Sequence, residues 1–147
     1  MNNFINEDGK ILLKFDVEME DFSKAGEASS KIKNILRQLG INGKVIRKVS
    51  IATYEAEINV AIHSLGGFIE LRVLEDKILI RVKDKGPGIK DVDLAMQKGY
   101  STATEEVREL GFGAGMGLPN MKRYSDEFEI ESVYEEYTEI NMVMYIE

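Results

Sequence analysis

Apolar residues recur along this chain with two different periods, and the periods divide it into elements. Residues 10–17, Lys-Ile-Leu-Leu-Lys-Phe-Asp-Val, are β-rich and partly alternating, and Gly9 precedes them as a turn residue; they predict a first strand. From about residue 23 to 39 the apolar positions Ala25, Ala28, Ile32, Ile35, Leu36 and Leu39 fall at threes and fours, which predicts a helix stopped by Gly40. Asn42 is placed to cap a longer helix running to about Ser64, with Gly66-Gly67 as its terminator. Alternation then returns over 68–74 and 77–84, putting Ile69, Leu71 and Val73 on one face and Ile78, Ile80 and Val82 on another, with Glu75-Asp76 as the hairpin joint. A short helix over 92–97, a helix over 117–124 and two alternating strands over 127–134 and 139–146, turning at Glu135-Glu136, complete the series.

The order β-α-α-β-β-(α)-α-β-β groups strands in hairpins instead of alternating them with helices. That pattern predicts an α+β two-layer sandwich, a mostly antiparallel mixed sheet with helices on one face. With no internal repeat, low-complexity stretch or linker, residues 1–147 read as one domain, as the length also suggests.

Composition narrows the chemistry. The 26 acids against 19 bases give a net charge of −7, so a general affinity for nucleic-acid phosphates is disfavoured. No apolar run approaches the roughly 18 residues of a membrane span, and Met1-Asn2-Asn3-Phe4 lacks the basic start of a signal peptide, so the expected location is cytoplasmic. The absence of cysteine removes disulfides, thiol chemistry and Cys-ligated zinc. His63 is the single histidine, which excludes poly-His metal sites. The 13 glycines are the unusual item, because those at 86, 88, 99, 111, 113, 115 and 117 crowd into one stretch.

Polar residues run against the pattern in three places. In the long second helix Glu55, Asn59 and His63 are spaced i, i+4, i+8 and stack along one side, at the edge of the stripe through Val45, Val49, Ala52 and Ala56. One reading is a solvated helix flank. The other makes Glu55 a general base and Asn59 a hard oxygen donor to Mg²⁺. Glu57 lies on the other side and has no assigned part. At the end of the fifth predicted element Asp84 shares the apolar face of Ile78, Ile80 and Val82 and needs a partner. That partner is either a backbone amide or helix N-terminus in the next turn, or a ligand donor such as an exocyclic amine. In the second case Gly86 and Gly88 let a flat ring approach the backbone, Pro87 stiffens the turn and Ile89 touches the ring. Finally Gly111, Gly113, Gly115 and Gly117 alternate and then open a helix, which makes an anion cradle from exposed N–H groups and a helix N-terminus, with Lys122 and Arg123 nearby. The alternative there is a flexible hinge. Ser101, Thr102, Thr104 and Arg108 upstream supply hydroxyls and a guanidinium able to fold over phosphates.

Familiar nucleotide fingerprints fail when tested literally: there is no Gly-x-x-x-x-Gly-Lys-Ser/Thr, and the glycine spacing misses the dinucleotide pattern. The combination Glu55-x-x-x-Asn59, then Asp84-x-Gly86-x-Gly88-Ile89, then Gly111-x-Gly113-x-Gly115-x-Gly117-Leu118, does resemble the N, G1 and G2 boxes of the Bergerat-fold (GHKL) ATPases, the superfamily of gyrase and the histidine kinases. The likeness covers roughly residues 45–147, and the segment 122–132 looks like the bacterial anti-sigma factor and serine switch-kinase branch. The resemblance implies Mg-ATP as ligand and the following roles. Glu55 is the general base, Asn59 the Mg²⁺ ligand, and Asp84 the adenine contact with Gly86, Gly88 and Ile89. Gly111, Gly113, Gly115, Gly117 and Leu118 form lid and phosphate cradle, and Thr102 and Arg108 match lid positions near the γ-phosphate. Thr138, expected just ahead of the last strand, completes the adenine site. The implied activity is phosphorylation of a serine on a small STAS-domain antagonist, with a sigma factor as a further partner and a homodimer as the assembly. A nucleotide-gated binding module without catalysis, or a simple ATPase, are the alternatives.

Overall fold

In the computed structural model, residues 2–5, 11–18, 24, 26–86, 92, 96–97 and 117–146 are described. They form six strands and three helices: β1 (Asn2–Ile5), β2 (Ile11–Val17), α1 (Glu27–Gln38), α2 (Gly43–His63), β3 (Gly67–Val73), β4 (Lys77–Lys85), α3 (Gly117–Tyr124), β5 (Glu127–Val133) and β6 (Tyr137–Tyr145). The sheet order is β1-β2-β3-β4-β6-β5, and every neighbouring pair is antiparallel. The mostly antiparallel sheet expected is found, and among the described residues every neighbouring pair is antiparallel, because each strand returns beside its neighbour through a hairpin or a helical excursion.

Alternation in the strands translates directly into two faces. Ile69, Leu71, Ile78, Ile80, Met142 and Met144 are buried on the face covered by helices, against Ile32 and Leu36 of α1, Val49, Ala52, Ala56 and Val60 of α2, and Met121 of α3. The other face is laced with charge. Phe68 lies there with the Lys14 ammonium 4.4 Å from its ring centre, and Arg81 donates to Glu139 at 2.9 Å. No described helix is long and apolar enough to cross a membrane.

Several boundaries differ from expectation for identifiable reasons. Helix α1 starts at Glu27, after Gly26, whose φ of 93° cannot continue a right-handed helix. Strand β6 starts at Tyr137, so Thr138 lies inside the strand and not ahead of it, because Tyr137 and Thr138 pair with Lys85 and Asp84. Strand β1 has no counterpart in the expected series. Of the helix expected over 92–97 only Val92, Met96 and Gln97 are described, and the Met96 N–H donates to the Val92 carbonyl at 3.0 Å. Asn42 does cap α2, accepting from the N–H groups of Lys44 and Val45 at 2.9 and 3.2 Å.

Helix α1 is capped from a distance. Gly26 has no side chain to offer, and the Glu57 carboxylate of α2 accepts instead from the N–H groups of Ala28 and Ser29, both at 3.0 Å. Glu57 therefore closes the helix pair on the side of α2 turned away from Glu55 and Asn59.

Candidate nucleotide site

Two groups of residues that are far apart in sequence meet at the start of α3. The backbone of Gly117 sits against the Asn59 side chain so closely that a methyl group on it would lie 3.1 Å from Asn59 Oδ1 and 3.2 Å from Nδ2. One turn on, Asn120 Nδ2 is 3.5 Å from Glu55 Oε1. Gly117 and Asn120 share a face of α3 because they are three apart, and Glu55 and Asn59 share a face of α2 because they are four apart. Leu118 and Met121, between them, are buried in the core and hold α3 on α2. The first turn of α3 thereby lies beside the Asn59 amide and the Glu55 carboxylate. Lys122 and Arg123 fall in the last turn of α3, where they complement its negative end and not the cradle expected at its start.

The second group stands on the sheet. Asp84 of β4 projects from the same face as Ile78, Ile80 and Val82 and is half-buried. Its Oδ1 accepts the main-chain N–H of Thr138 at 3.0 Å, so the amide that meets this carboxylate comes from across the sheet on β6 and not from the next turn. Burial pushes the Asp84 carboxyl up to about 6, with the Thr138 N–H pulling the other way. Thr138 is itself buried, and its hydroxyl lies 2.8 Å from that of Ser132 on β5. The end of β4 is tied on both sides, since Leu65 N–H donates to the Lys85 carbonyl at 3.1 Å and Gly86 N–H donates to the Glu136 carbonyl.

Of the expected site residues, Glu55, Asn59, Gly117 and Leu118 come together on α2 and α3, and Asp84, Gly86 and Thr138 come together at the end of β4. Gly88, Ile89, Thr102, Arg108, Gly111, Gly113 and Gly115 lie outside the described residues, as does the side chain of His63. Asn120 and Ser132 were not among the expected residues. The i, i+3 step from Gly117 signals Asn120, and the strand pairing that reveals Ser132 has no sequence signal of its own.

No described group of three or more Asp, Glu, His or Cys residues could hold a metal. A donor set of one amide oxygen and one carboxylate suits Mg²⁺, which keeps most of its water and takes few protein ligands. A cavity of about 200 Å³ bordered by Phe15, Val17, Glu57 and Ala61, with Asp16, Glu18 and Glu27 also in its lining, is on the opposite side of α2, and its Glu57 carboxylate accepts from the start of α1.

The histidine kinase-like ATPase domain family matches residues 20–144. An anti-sigma F factor of Caldanaerobacter subterraneus subsp. tengcongensis is 40% identical over 106 residues, covering 69% of this chain and 71% of that protein. The serine/threonine-protein kinase RsbT of Bacillus subtilis is 30% identical over 118 residues, covering 78% and 83%. Among solved structures, the SiaB-SiaC complex of Pseudomonas aeruginosa contains a chain matching with a TM-score of 0.61 at 14% identity, over 90% of this chain and 88% of that one, which is a likeness of fold.

Proposed function

This chain belongs to the histidine kinase-like ATPase domain family, and from that premise we propose that it is an ATP-dependent serine/threonine protein kinase of the anti-sigma factor kind. Its substrate is a serine on a small STAS-domain antagonist, with a sigma factor as a second partner, and residues 1–147 act as one ATP-binding domain.

The observation that carries this reading is the meeting of Gly117 and Asn120 with Asn59 and Glu55, which joins two sequence motifs more than fifty residues apart at one helix N-terminus. Such a meeting has the parts that phosphoryl transfer requires: positioned donors, a base and an oxygen ligand for a cation, with no covalent nucleophile. Glu55 takes the proton from the attacking seryl hydroxyl, and Asn120 holds the carboxylate against α3. Asn59 would hold Mg²⁺ through Oδ1, where the ion supplies neutralisation of phosphate charge. Asp84 accepts from the adenine amino group through the oxygen that Thr138 leaves over, with Gly86, Gly88 and Ile89 beside the ring. Gly111, Gly113 and Gly115 line the phosphates, and Thr102 and Arg108 approach from the lid.

The test incubates the protein with Mg-ATP and candidate STAS-domain proteins and looks for phosphoserine. Glu55→Gln is expected to lower transfer by roughly a hundredfold or more while ATP still binds. Normal transfer by that variant would overturn the base assignment. Phosphate release without a partner would make the protein a simple ATPase, and ATP-dependent partner affinity without modification would make it a gated binding module.

A further inference from the structure

Lys122 and Arg123 stand away from the phosphate cradle, and with the start of α2 they form a patch of one charge. Helices α2 and α3 run antiparallel: Gly117 meets Asn59, Asn120 meets Glu55, and Lys48 reaches Asp126, two residues past the end of α3, with 3.3 Å between Nζ and Oδ1. Lys48 therefore ties the first turns of α2 to the last turn of α3. Lys44 lies beside both Arg47 and Lys48, three and four residues on, and Lys122 and Arg123 occupy the facing helix end. Lys44, Arg47, Lys122 and Arg123 are all exposed, in a chain whose net charge is −7. Among the described residues Asp126 is the only ion-pair partner that any of the five cations has, and its other oxygen takes the Tyr145 N–H. Lys31 and Arg81, by contrast, are matched by Glu27 and Glu139. Lys44 is also disfavoured where it stands, because the first turn of α2 contains no acid and the positive end of the helix dipole repels a cation.

The place of the patch relative to Glu55 gives it a use. Lys48 precedes Glu55 by seven residues, so it stands on the same side of α2, about 10 Å along the axis. Arg123 follows Asn120 by three residues on the matching side of α3. A protein that brings a hydroxyl to Glu55 along this helix pair lays the neighbouring part of its surface over the cations. We propose that Lys44, Arg47, Lys48, Lys122 and Arg123 are specificity-determining residues that dock the phospho-acceptor protein through an acidic surface flanking its acceptor serine. This rests on the reading of Glu55 as the base for where the serine lies. The contacts are exposed charge pairs, so they steer and select the partner and weaken as salt rises. A partner with a basic flank meets like charge and is turned away. A nucleic acid is the poorer fit, because a duplex extends beyond the strip into the field of an acidic chain.

The probe is a fluorescein-labelled peptide with one serine and a run of glutamates beginning about 10 Å from it, roughly three extended residues. Its counterpart has glutamine in place of each glutamate. Fluorescence anisotropy at low salt gives the dissociation constants for the full chain, and Mg-ATP is then added to follow transfer to the serine. Wild type is expected to bind the glutamate peptide about tenfold more tightly than the glutamine peptide and to phosphorylate it at a lower KM. Lys44→Glu/Arg47→Glu and Lys122→Glu/Arg123→Glu should each erase that preference while the dissociation constant for Mg-ATP stays unchanged. Lys44→Arg/Arg47→Lys, which conserves charge, should keep the preference, and Lys44→Gln/Arg47→Gln replaces the reversed pair should that pair fold poorly. The inference is overturned by equal affinity for the two peptides, by a preference that survives charge reversal, or by its loss in the charge-conserving variant. It is also overturned if a short duplex DNA binds more tightly than the glutamate peptide, or if the bound peptide receives no phosphate. A Glu55→Gln variant that transfers phosphate as well as wild type overturns the base reading alone, since peptide binding does not involve Glu55.

Discussion

Gly67 of β3 faces Asp84 of β4 at a distance that leaves no room for a side chain: a methyl group on Gly67 would lie 2.2 Å from the Lys83 carbonyl oxygen and 2.8 Å from the Asp84 Cα. The approach sets where the carboxylate leaves the sheet. Gly67→Ala must push the two strands apart at the last register pair, and is expected to cost about 2 kcal/mol, as overpacked positions do. Urea unfolding measures the loss, and ATP titration should show weaker binding by the folded variant. An unchanged midpoint would mean that the strand end yields freely.

The cap that α1 receives from Glu57 is buried and made by both carboxylate oxygens. Glu57→Ala leaves two N–H groups without their acceptor and is expected to destabilise the protein by about 3 kcal/mol; Glu57→Gln, which retains one acceptor oxygen, should cost less. The ordering of the two variants in thermal or chemical unfolding is the diagnostic result. Equal losses would point to lost packing instead of a lost cap.

Asp84 links stability to pH with a definite sign. Its carboxyl is raised from 3.8 to about 6 in the folded chain, so the folded state holds that proton more tightly than the unfolded state does. Stability contributed by the protonated carboxyl is complete below 3.8 and is lost as pH rises through about 6. Asp84→Asn keeps the acceptor for the Thr138 N–H and is expected to stabilise the protein at pH 7 by about 1 kcal/mol, discounted for the partial solvent access of the group. Near pH 4 the gain should vanish. A gain that is independent of pH would show that charge is not its source, and ATP affinity should fall in the same variant.

The turn between β5 and β6 contains Glu135 at φ 68°, the one non-glycine residue in the left-handed region among those described, with Glu136 N–H bonded back to the Val133 carbonyl at 2.9 Å. Glycine is better suited to that conformation, and Glu135→Gly is expected to raise stability by about 1 kcal/mol. A lower melting temperature would show that the Glu135 side chain contributes more than its backbone costs.

The helices and inner strands were legible because their periods are long and unbroken. Helix α3 has the bounds expected, 117–124, and α2 begins beside the Asn42 cap. The two strands of the β3–β4 hairpin lie within a residue of expectation because alternation fixes the buried face. Strand β1 was not legible, since four residues at a sheet edge carry too little pattern. Parity correctly placed Asp84 on the apolar face. Its backbone partner was unreadable because Thr138 lies 54 residues away and the pairing depends on register. The sequence offers no part for Glu57 for the same reason: its partners are 28 and 29 residues earlier, at a helix start that follows the left-handed Gly26. The pair Gly66-Gly67 predicts a helix terminator, and of the two it is Gly66 that takes the left-handed conformation.

Gly117 shows what the glycine crowding means at one well-described position. It is the first residue of α3 and is not among the glycines with positive φ, so its backbone asks nothing that alanine could not do. What alanine would take is clearance, at the oxygen of Asn59. Torsional glycines such as Gly26 and volumetric glycines such as Gly117 therefore fail differently when replaced. The first kind strains the backbone and lowers stability, whereas the second is expected to leave a folded protein with the space beside Asn59 obstructed, a defect that nucleotide titration tests and a melting curve misses.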